Sequence, residues 1–180
     1  MLCNLDLDFN TAVKSKIYDV VVIGAGQAGL SISYFLSKSK INHVVLDKGK
    51  LGNAWLNDRW DSFCLVTPNW SITLPGGEYS GSEPDAFMPG KDFRVYLKKW
   101  ATSFNAPVEE HVVANRITKE GTKFYIETNQ GKLESKQVVI ATATYQRPRI
   151  PEEIKGLSRN ILLLPASDYR NPSTLPAGGI

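Results

Sequence analysis

Two cysteines in 180 residues, Cys3 and Cys64, are too few for a disulfide framework and stand at no metal-ligand spacing. They read as free thiols of a reducing cytosol. Histidine is as scarce: His43 and His111 have no partner at ligand spacing, so both read as structural and no metal site is expected. No apolar run approaches the roughly 18 residues of a membrane span. No basic stretch leading into an apolar one opens the chain, so no secretory signal is expected and the chain is assigned to the cytoplasm. Charge of one sign is lacking too. Lys and Arg number 21 against 18 Asp and Glu, a net +3. The basic residues gather only briefly, at 14–16 and at Lys98-Lys99. A nucleic-acid surface needs them on one face, so none is expected. There is no internal repeat, and no nucleophile–base pair from which a catalytic residue could be named. What remains is ordinary globular composition, 42% hydrophobic and 22% charged, in a chain long enough for one domain with a core.

The strongest positive signal begins at residue 17. Ile17-Tyr18-Asp19-Val20-Val21-Val22-Ile23 is short, apolar and rich in β-branched residues, as suits a strand buried on both faces of a parallel sheet. It runs into Gly24-Ala25-Gly26-Gln27-Ala28-Gly29. A helical pattern follows, with Ala28, Ile32, Phe35 and Leu36 on one face, and then a second apolar run, Val44-Val45-Leu46, that ends in Asp47. Each part has a physical task in binding a dinucleotide. Gly24 permits the tight turn from strand to helix. Gly26 lets a pyrophosphate approach the backbone, and Gly29 lets the helix lie close on the strand. The helix N-terminus offers free N–H groups and the positive end of a dipole. Asp47, 18 residues after Gly29, can accept hydrogen bonds from ribose hydroxyls and favours an unphosphorylated ribose, hence FAD or NAD.

The rest of the chain bears on which of the two. A simple NAD domain continues with another strand and helix soon after Asp47. Here a long irregular stretch, 48–90, intervenes, rich in Gly, Pro, Asn and Ser and carrying Trp55, Trp60, Phe63, Trp70, Tyr79 and Phe87. A loop of that length in a compact domain is usually functional. Phe93, Tyr96, Leu97, Trp100, Ala101 and Phe104 then repeat at helical spacing, with Asp92 placed to cap the start; their aromatic stripe reads as core. Alternating segments at 112–118, 123–128 and 132–135, divided by Gly121 and Asn129-Gln130-Gly131, predict an antiparallel meander. A further buried strand, 137–141, ends in Thr142-Ala143-Thr144. The expected fold is α/β, a Rossmann-like parallel sheet with an inserted meander. Residues 1–16 are expected to form a flexible arm, 17–150 the nucleotide-binding domain and 151–180 a connector.

This order resembles the first half of the FAD domain of glutathione-reductase-like flavoproteins, and within them most the flavin-containing monooxygenases and their Baeyer–Villiger relatives. Leu51-Gly52-Asn53-Ala54-Trp55, Arg59-Trp60-Asp61-Ser62 and Leu65-Val66-Thr67-Pro68 resemble the stretch after the family's second strand. Residues 74–89 resemble its proline-rich loop. Ala141-Thr142-Ala143, with Pro148 and Pro151, resembles its alanine-threonine-glycine motif, and Tyr169-Arg170-Asn171-Pro172 the segment ahead of its NADPH domain. The resemblance spans about 17–176.

The resemblance implies an enzyme in which NADPH reduces FAD and the reduced flavin activates oxygen to oxidise a small-molecule substrate. Gly24, Gly26, Gly29 and Asp47, with Lys48 beside it, would hold the FAD diphosphate and ribose, and Gln27 and Ala28 would lend backbone donors at the helix start. Trp55 and Arg59 would lie beside the cofactor, Leu65 and Thr67 near the isoalloxazine, Val113 against the adenine, and Ala141 and Thr142 at the motif's turn. Trp55 and Trp60 equally suit packing under the long loop, and Arg59 a surface ion pair. Three departures bear on activity. Ala143 stands where the family has glycine. The monooxygenase signature ahead of the NADPH domain falls on Arg159, Ile161 and Pro165, with only Tyr169 retained. The chain is expected to stop short of the NADPH domain, leaving a sheet edge open to a complementing chain or a second copy. Three readings therefore stand: the FAD-binding part of a flavin monooxygenase, which alone turns nothing over; another FAD/NAD(P)H reductase, which would usually carry a Cys-x4-Cys pair absent here; and an inactive remnant or nucleotide-binding subunit.

Overall fold

In a computed structural model, residues 16–144, 149–154, 156–158 and 160–178 are described. The apolar run after Lys16 forms β1 (Lys16–Ile23), in which Val21 and Val22 are fully buried. The glycine turn leads into α1 (Gln27–Lys38) and returns in β2 (His43–Leu46), buried along its whole length. Two short elements break the long stretch that follows: α2 (Asn53–Asn57), and a two-strand ribbon of β3 (Thr73–Leu74) and β4 (Gly77–Glu78). Then come α3 (Gly90–Ser103), β5 (Val108–Glu109), and the meander β6 (Ala114–Glu120), β7 (Lys123–Thr128) and β8 (Gly131–Ile140).

The other six strands form one sheet in the order β5-β2-β1-β8-β7-β6. β5, β2, β1 and β8 run parallel, and β8, β7 and β6 antiparallel. Because side chains alternate along a strand, β1 feeds two cores. Val20 and Val22 pack with Leu30 of α1, Phe93, Leu97 and Trp100 of α3, and Leu65, Ile72 and Leu74 of the aromatic loop. Val21 packs on the opposite face with Val44, Leu46, Val112, Ile126 and Leu133. Each such side chain contributes about 1.5–3 kcal/mol when removed from water. Ion pairs trim the rim: Lys16 meets Glu109 at 3.0 Å and Lys136 meets Asp19 at 2.7 Å. The Lys136 ammonium holds the Asp19 carboxyl below its ordinary value.

Several expectations change. The inward face of α1 is Gly29, Leu30 and Ser33, while Ile32 and Phe35 are exposed. The apolar residues at 28, 32 and 35 do follow helical spacing, but close approach of the helix to β1 requires the small residues inside. α3 starts at Gly90 with Pro89 as its N-cap, and Asp92 makes no capping bond; it lies in the first turn, where its charge suits the helix dipole. The segments expected at 132–135 and 137–141 are one ten-residue strand. The polar Ser135-Lys136 step is held extended because β1 pairs along it from Leu133 to Ile140. Ser135 is buried, and its hydroxyl donates to the Gln137 carbonyl at 2.5 Å. β5 and α2 carried no sequence signal. Lys16 belongs to β1; residues 1–15, the rest of the expected arm and Cys3 among them, lie outside the described residues, as do Pro148 and Arg159.

Candidate dinucleotide site

The carboxyl ends of β1, β2 and β8 open onto one cleft of about 610 Å³. An open parallel sheet places its ligands there. Gly24 crosses the floor. Its amide donates to the Leu46 carbonyl at 2.7 Å, while the amide of Ala141 donates to the Ile23 carbonyl at 2.8 Å. At φ +109° a side chain on Gly24 would be strained, and a Cβ would lie 2.4 Å from the Ala141 carbonyl oxygen. Gly29 lies behind the cleft, where a Cβ would sit 1.9 Å from the Gly24 carbonyl oxygen. That contact brings α1 down onto the turn.

Gly26, by contrast, faces open space: no atom lies within 4 Å of its absent Cβ, and the residue lines the cleft. It is also the N-cap of α1, with no side-chain capping bond, and the first turn carries no acidic residue. The N–H groups at 26–28 therefore face the cleft end without a competing anion. Asp47, at the end of β2, braces this turn. Its Oδ2 accepts from the Ala25 amide at 2.8 Å and its Oδ1 from the Gly49 amide at 2.9 Å. Each carboxylate oxygen retains a second lone pair for a ligand hydroxyl. Lys48 lines the cleft beside it.

Val112 and Val113 form the wall next to Asp47. The Val112 amide donates to the Asp47 carbonyl at 2.8 Å. Val113 donates to the Asn129 Oδ1 at 2.8 Å, and its side chain is part-exposed into the cleft. The far wall is α2 and its exit. Trp55 stands edge-on to Phe93, with centroids 4.9 Å apart, and the Arg59 guanidinium lies over the Trp55 ring at 5.6 Å and the Phe63 ring at 5.4 Å. Trp55 thus both packs on the core and lines the cleft. Trp60 packs edge-on to Phe63 and does not line it. Arg59 forms cation–π contacts where a surface ion pair was the alternative.

Of the residues singled out from sequence, Gly24, Gly26, Gln27, Ala28, Asp47 and Lys48 line the cleft, as do Trp55, Arg59, Val113, Ala141 and Thr142. Leu65 and Thr67 do not: Leu65 is part of the core, its amide bonded to the Met88 carbonyl at 2.8 Å, and Thr67 is exposed outside the cleft. Sequence reasoning did not assign Asn53, Asp58, Ile140 or Ala143 to the cleft they line, although Asn53 and Ala143 stand in stretches that carry the resemblance. That residue, standing where the family has glycine, has a left-handed backbone, φ +59°. His43 is structural. Its Nδ1–H donates to the Ile41 carbonyl at 2.8 Å, which leaves Nε2 to accept from the Ser33 hydroxyl at 2.8 Å. Under the aromatic loop, the Tyr96 hydroxyl donates to the Gly77 carbonyl at 2.9 Å, and burial pushes its phenol above the ordinary range. No cluster of three metal-ligating side chains occurs among the described residues, and no described helix is long and apolar enough to cross a membrane.

An open cradle at Gly26, an uncapped helix start and a braced carboxylate at the second strand's end suit the diphosphate and ribose of FAD. They define the class: a Rossmann-like dinucleotide-binding fold with an inserted meander. The chain matches the pyridine nucleotide-disulphide oxidoreductase family over residues 21–170 and belongs to it. It is 38% identical over 165 residues to the uncharacterised oxidoreductase CzcO of Bacillus subtilis, covering 91% of this chain and 47% of that protein. The chain thus spans about half the length of the curated relatives it matches. A variant of the flavin monooxygenase from Stenotrophomonas maltophilia superposes with a TM-score of 0.69 at 29% identity, over 76% of this chain and 41% of that one. The bacillithiol disulfide reductase of Staphylococcus aureus also reaches 0.69, over 76% and 42%, at 18% identity, a likeness of fold. The described fold is that of the FAD-binding region of flavin-dependent oxidoreductases.

Proposed function

We propose that the cleft holds FAD as the first half of an NADPH-dependent flavin monooxygenase. The observation that carries this reading is the convergence, in one cleft, of the uncapped α1 N-terminus, the open face of Gly26 and the Asp47 carboxylate. The amides at 26–28 would bind the diphosphate, and Asp47 would accept from the ribose diol. Val113 would meet the adenine, with Lys48 close to the ribose. Trp55 and Arg59 would bound the flavin side, and Ala141 and Thr142 the turn beneath it. FAD, when bound, would supply two-electron redox chemistry. The protein's part is to orient the cofactor and to keep water from it.

Monooxygenation is favoured over disulfide reduction by the long loop and the helix after it: a disulfide reductase of this class would usually carry a Cys-x4-Cys pair there, and residues 48–104 hold only Cys64. The likeness to a flavin monooxygenase at 29% identity points the same way. The NADPH site, the substrate and turnover are proposed to lie with partner segments or a partner chain, and the protein to work in the cytoplasm. The edge for that partner is β8 beyond Ser135: β7 pairs only with residues 131–135, so Lys136–Ile140 is paired on the β1 side alone among the described residues. Ile140, at its end, is 69% exposed.

The test is a titration of the purified chain with FAD, followed by flavin fluorescence, with NADPH consumption measured in parallel. Saturable binding at micromolar FAD with no NADPH oxidation is expected. A folded chain that leaves flavin fluorescence unchanged would sink the reading.

A further inference from the structure

Arg59 lines the cleft from a weakly supported place. α2, which leads to it, has no buried residue and no side-chain cap, and ends at Asn57 with Asp58 as its C-cap. What anchors the stretch after it comes from more than a hundred residues along the chain. The Arg170 guanidinium donates from Nη1 to the Arg59 carbonyl at 2.8 Å. The Asp61 amide donates to the Arg170 carbonyl at 2.9 Å. Asn171 donates from Nδ2 to the Asp61 Oδ2 at 2.6 Å. The amide orientation of Asn171 is settled by its other end: Oδ1 accepts from the Ser173 amide at 3.1 Å and caps the short turn Pro172–Thr174. One dipeptide thus satisfies two backbone groups and one carboxylate of 59–61. Arg170 and Asn171 are both part-buried. The Arg59 guanidinium donates from Nη1 to the Asp58 carbonyl at 3.1 Å and lies over Trp55 and Phe63 at the cleft.

We propose that Arg170 and Asn171 are positioning residues for the cofactor site: they clamp the 59–61 loop so that Arg59 faces the ligand. This rests on the FAD reading of the cleft. The segment is therefore not a passive connector. A ligand that engages Arg59 favours the clamped loop, and by linkage the clamp favours the ligand to the same degree. The segment leading out of the domain would report on whether the cleft is filled.

The test is a double-mutant cycle on the full chain, Arg59→Ala, Arg170→Ala and both together, read by FAD titration. Hydrogen–deuterium exchange at 58–63 is measured on the same proteins without FAD. A charge-assisted hydrogen bond of this kind corresponds to about a tenfold effect. Arg170→Ala is expected to weaken FAD binding about tenfold and to speed exchange at 58–63. Arg170→Lys, which can still donate to the Arg59 carbonyl, is expected to restore most of both. In the Arg59→Ala background the Arg170→Ala change should have little further effect on FAD. Unchanged affinity in Arg170→Ala, or effects that add, would overturn the clamp while leaving the FAD site standing. A folded wild-type chain that binds no FAD would overturn the cofactor reading and the clamp's role in it together. Should Arg170→Ala fail to fold, Asn171→Ala, which removes only the bond to Asp61 and the turn cap, gives the same readings from a milder change, with a smaller loss of affinity expected.

Discussion

Ala143 carries a backbone that its side chain opposes. A residue with a Cβ in the left-handed region costs about 1–2 kcal/mol, and glycine avoids this at a smaller cost in unfolded-chain entropy. Ala143→Gly is expected to stabilise the chain by about 0.5–1 kcal/mol, read as a higher denaturant midpoint with an unchanged slope. No change would mean that the turn relaxes around alanine. Asp47 is the opposite case, a side chain with several duties. It holds the amides of Ala25 and Gly49 and offers its remaining lone pairs to the cleft. Asp47→Ala removes charge-assisted bonds at both amides and the ligand's partner. FAD affinity is expected to fall about ten- to a hundredfold, measured by fluorescence titration. A shift under twofold would remove Asp47 from the site. Both residues were legible in advance, Asp47 by its place at the end of the second strand and Ala143 by departure from a pattern. Arg170 was visible only as part of a resemblance, because nothing in its neighbourhood tells which carbonyl it will reach.

At the scale of elements, α1 separates stability from binding. Its N-terminus lacks a capping side chain, and Gly26 has φ −87° and ψ −172°, which aspartate adopts freely. Gly26→Asp adds a good N-cap and is expected to raise stability by a few tenths of a kcal/mol. The same carboxylate occupies the anion site, so FAD binding is expected to be lost. Opposite signs in a melting curve and a titration would mark the helix start as a binding element; a variant that is more stable and still binds FAD would refute it. Gly29→Ala tests how α1 sits. Its Cβ would meet the Gly24 carbonyl oxygen at 1.9 Å. The backbone must shift, and a loss of several kcal/mol is expected by chemical denaturation, an effect at the upper end for a single substitution. The strand–helix–strand unit was legible because its period and its glycines are local signals. α2, β5 and the continuity of β8 were not. The Ser135-Lys136 step reads as a break on its own and is extended only because β1 runs beside it.

For the whole molecule, the open side of β8 makes association a testable property. Backbone groups of 136–140 that face away from β1 lack a strand partner among the described residues, and an exposed isoleucine ends the row. The outer edge strand β6 is different. It carries Arg116, Lys119 and Glu120 and a register shift between Ala114 and Arg116, features that discourage pairing there. Sedimentation of the chain is therefore expected to show concentration-dependent association that Ile140→Lys abolishes with the circular dichroism spectrum retained. Association unaffected by that change would place the contact elsewhere.

The nucleotide-binding unit was within reach of sequence reasoning because each of its determinants acts over a few residues: β-branched alternatives to helix, a turn that tolerates no side chain, a carboxylate at a strand end. Those rules assigned Gly24, Gly26 and Asp47, and the family resemblance supplied Gln27, Ala28, Lys48, Trp55, Arg59, Val113, Ala141 and Thr142; all of them line one cleft. Tertiary structure alone decided which large apolar side chains face that cleft and which pack away from it, since Trp55, Trp60 and Leu65 are chemically suited to either. It also decided where the chain after residue 150 goes. Arg170 meets Arg59 across a separation of 111 residues, and a contact of that span leaves no local pattern: it exists only once both ends are held by folds built elsewhere.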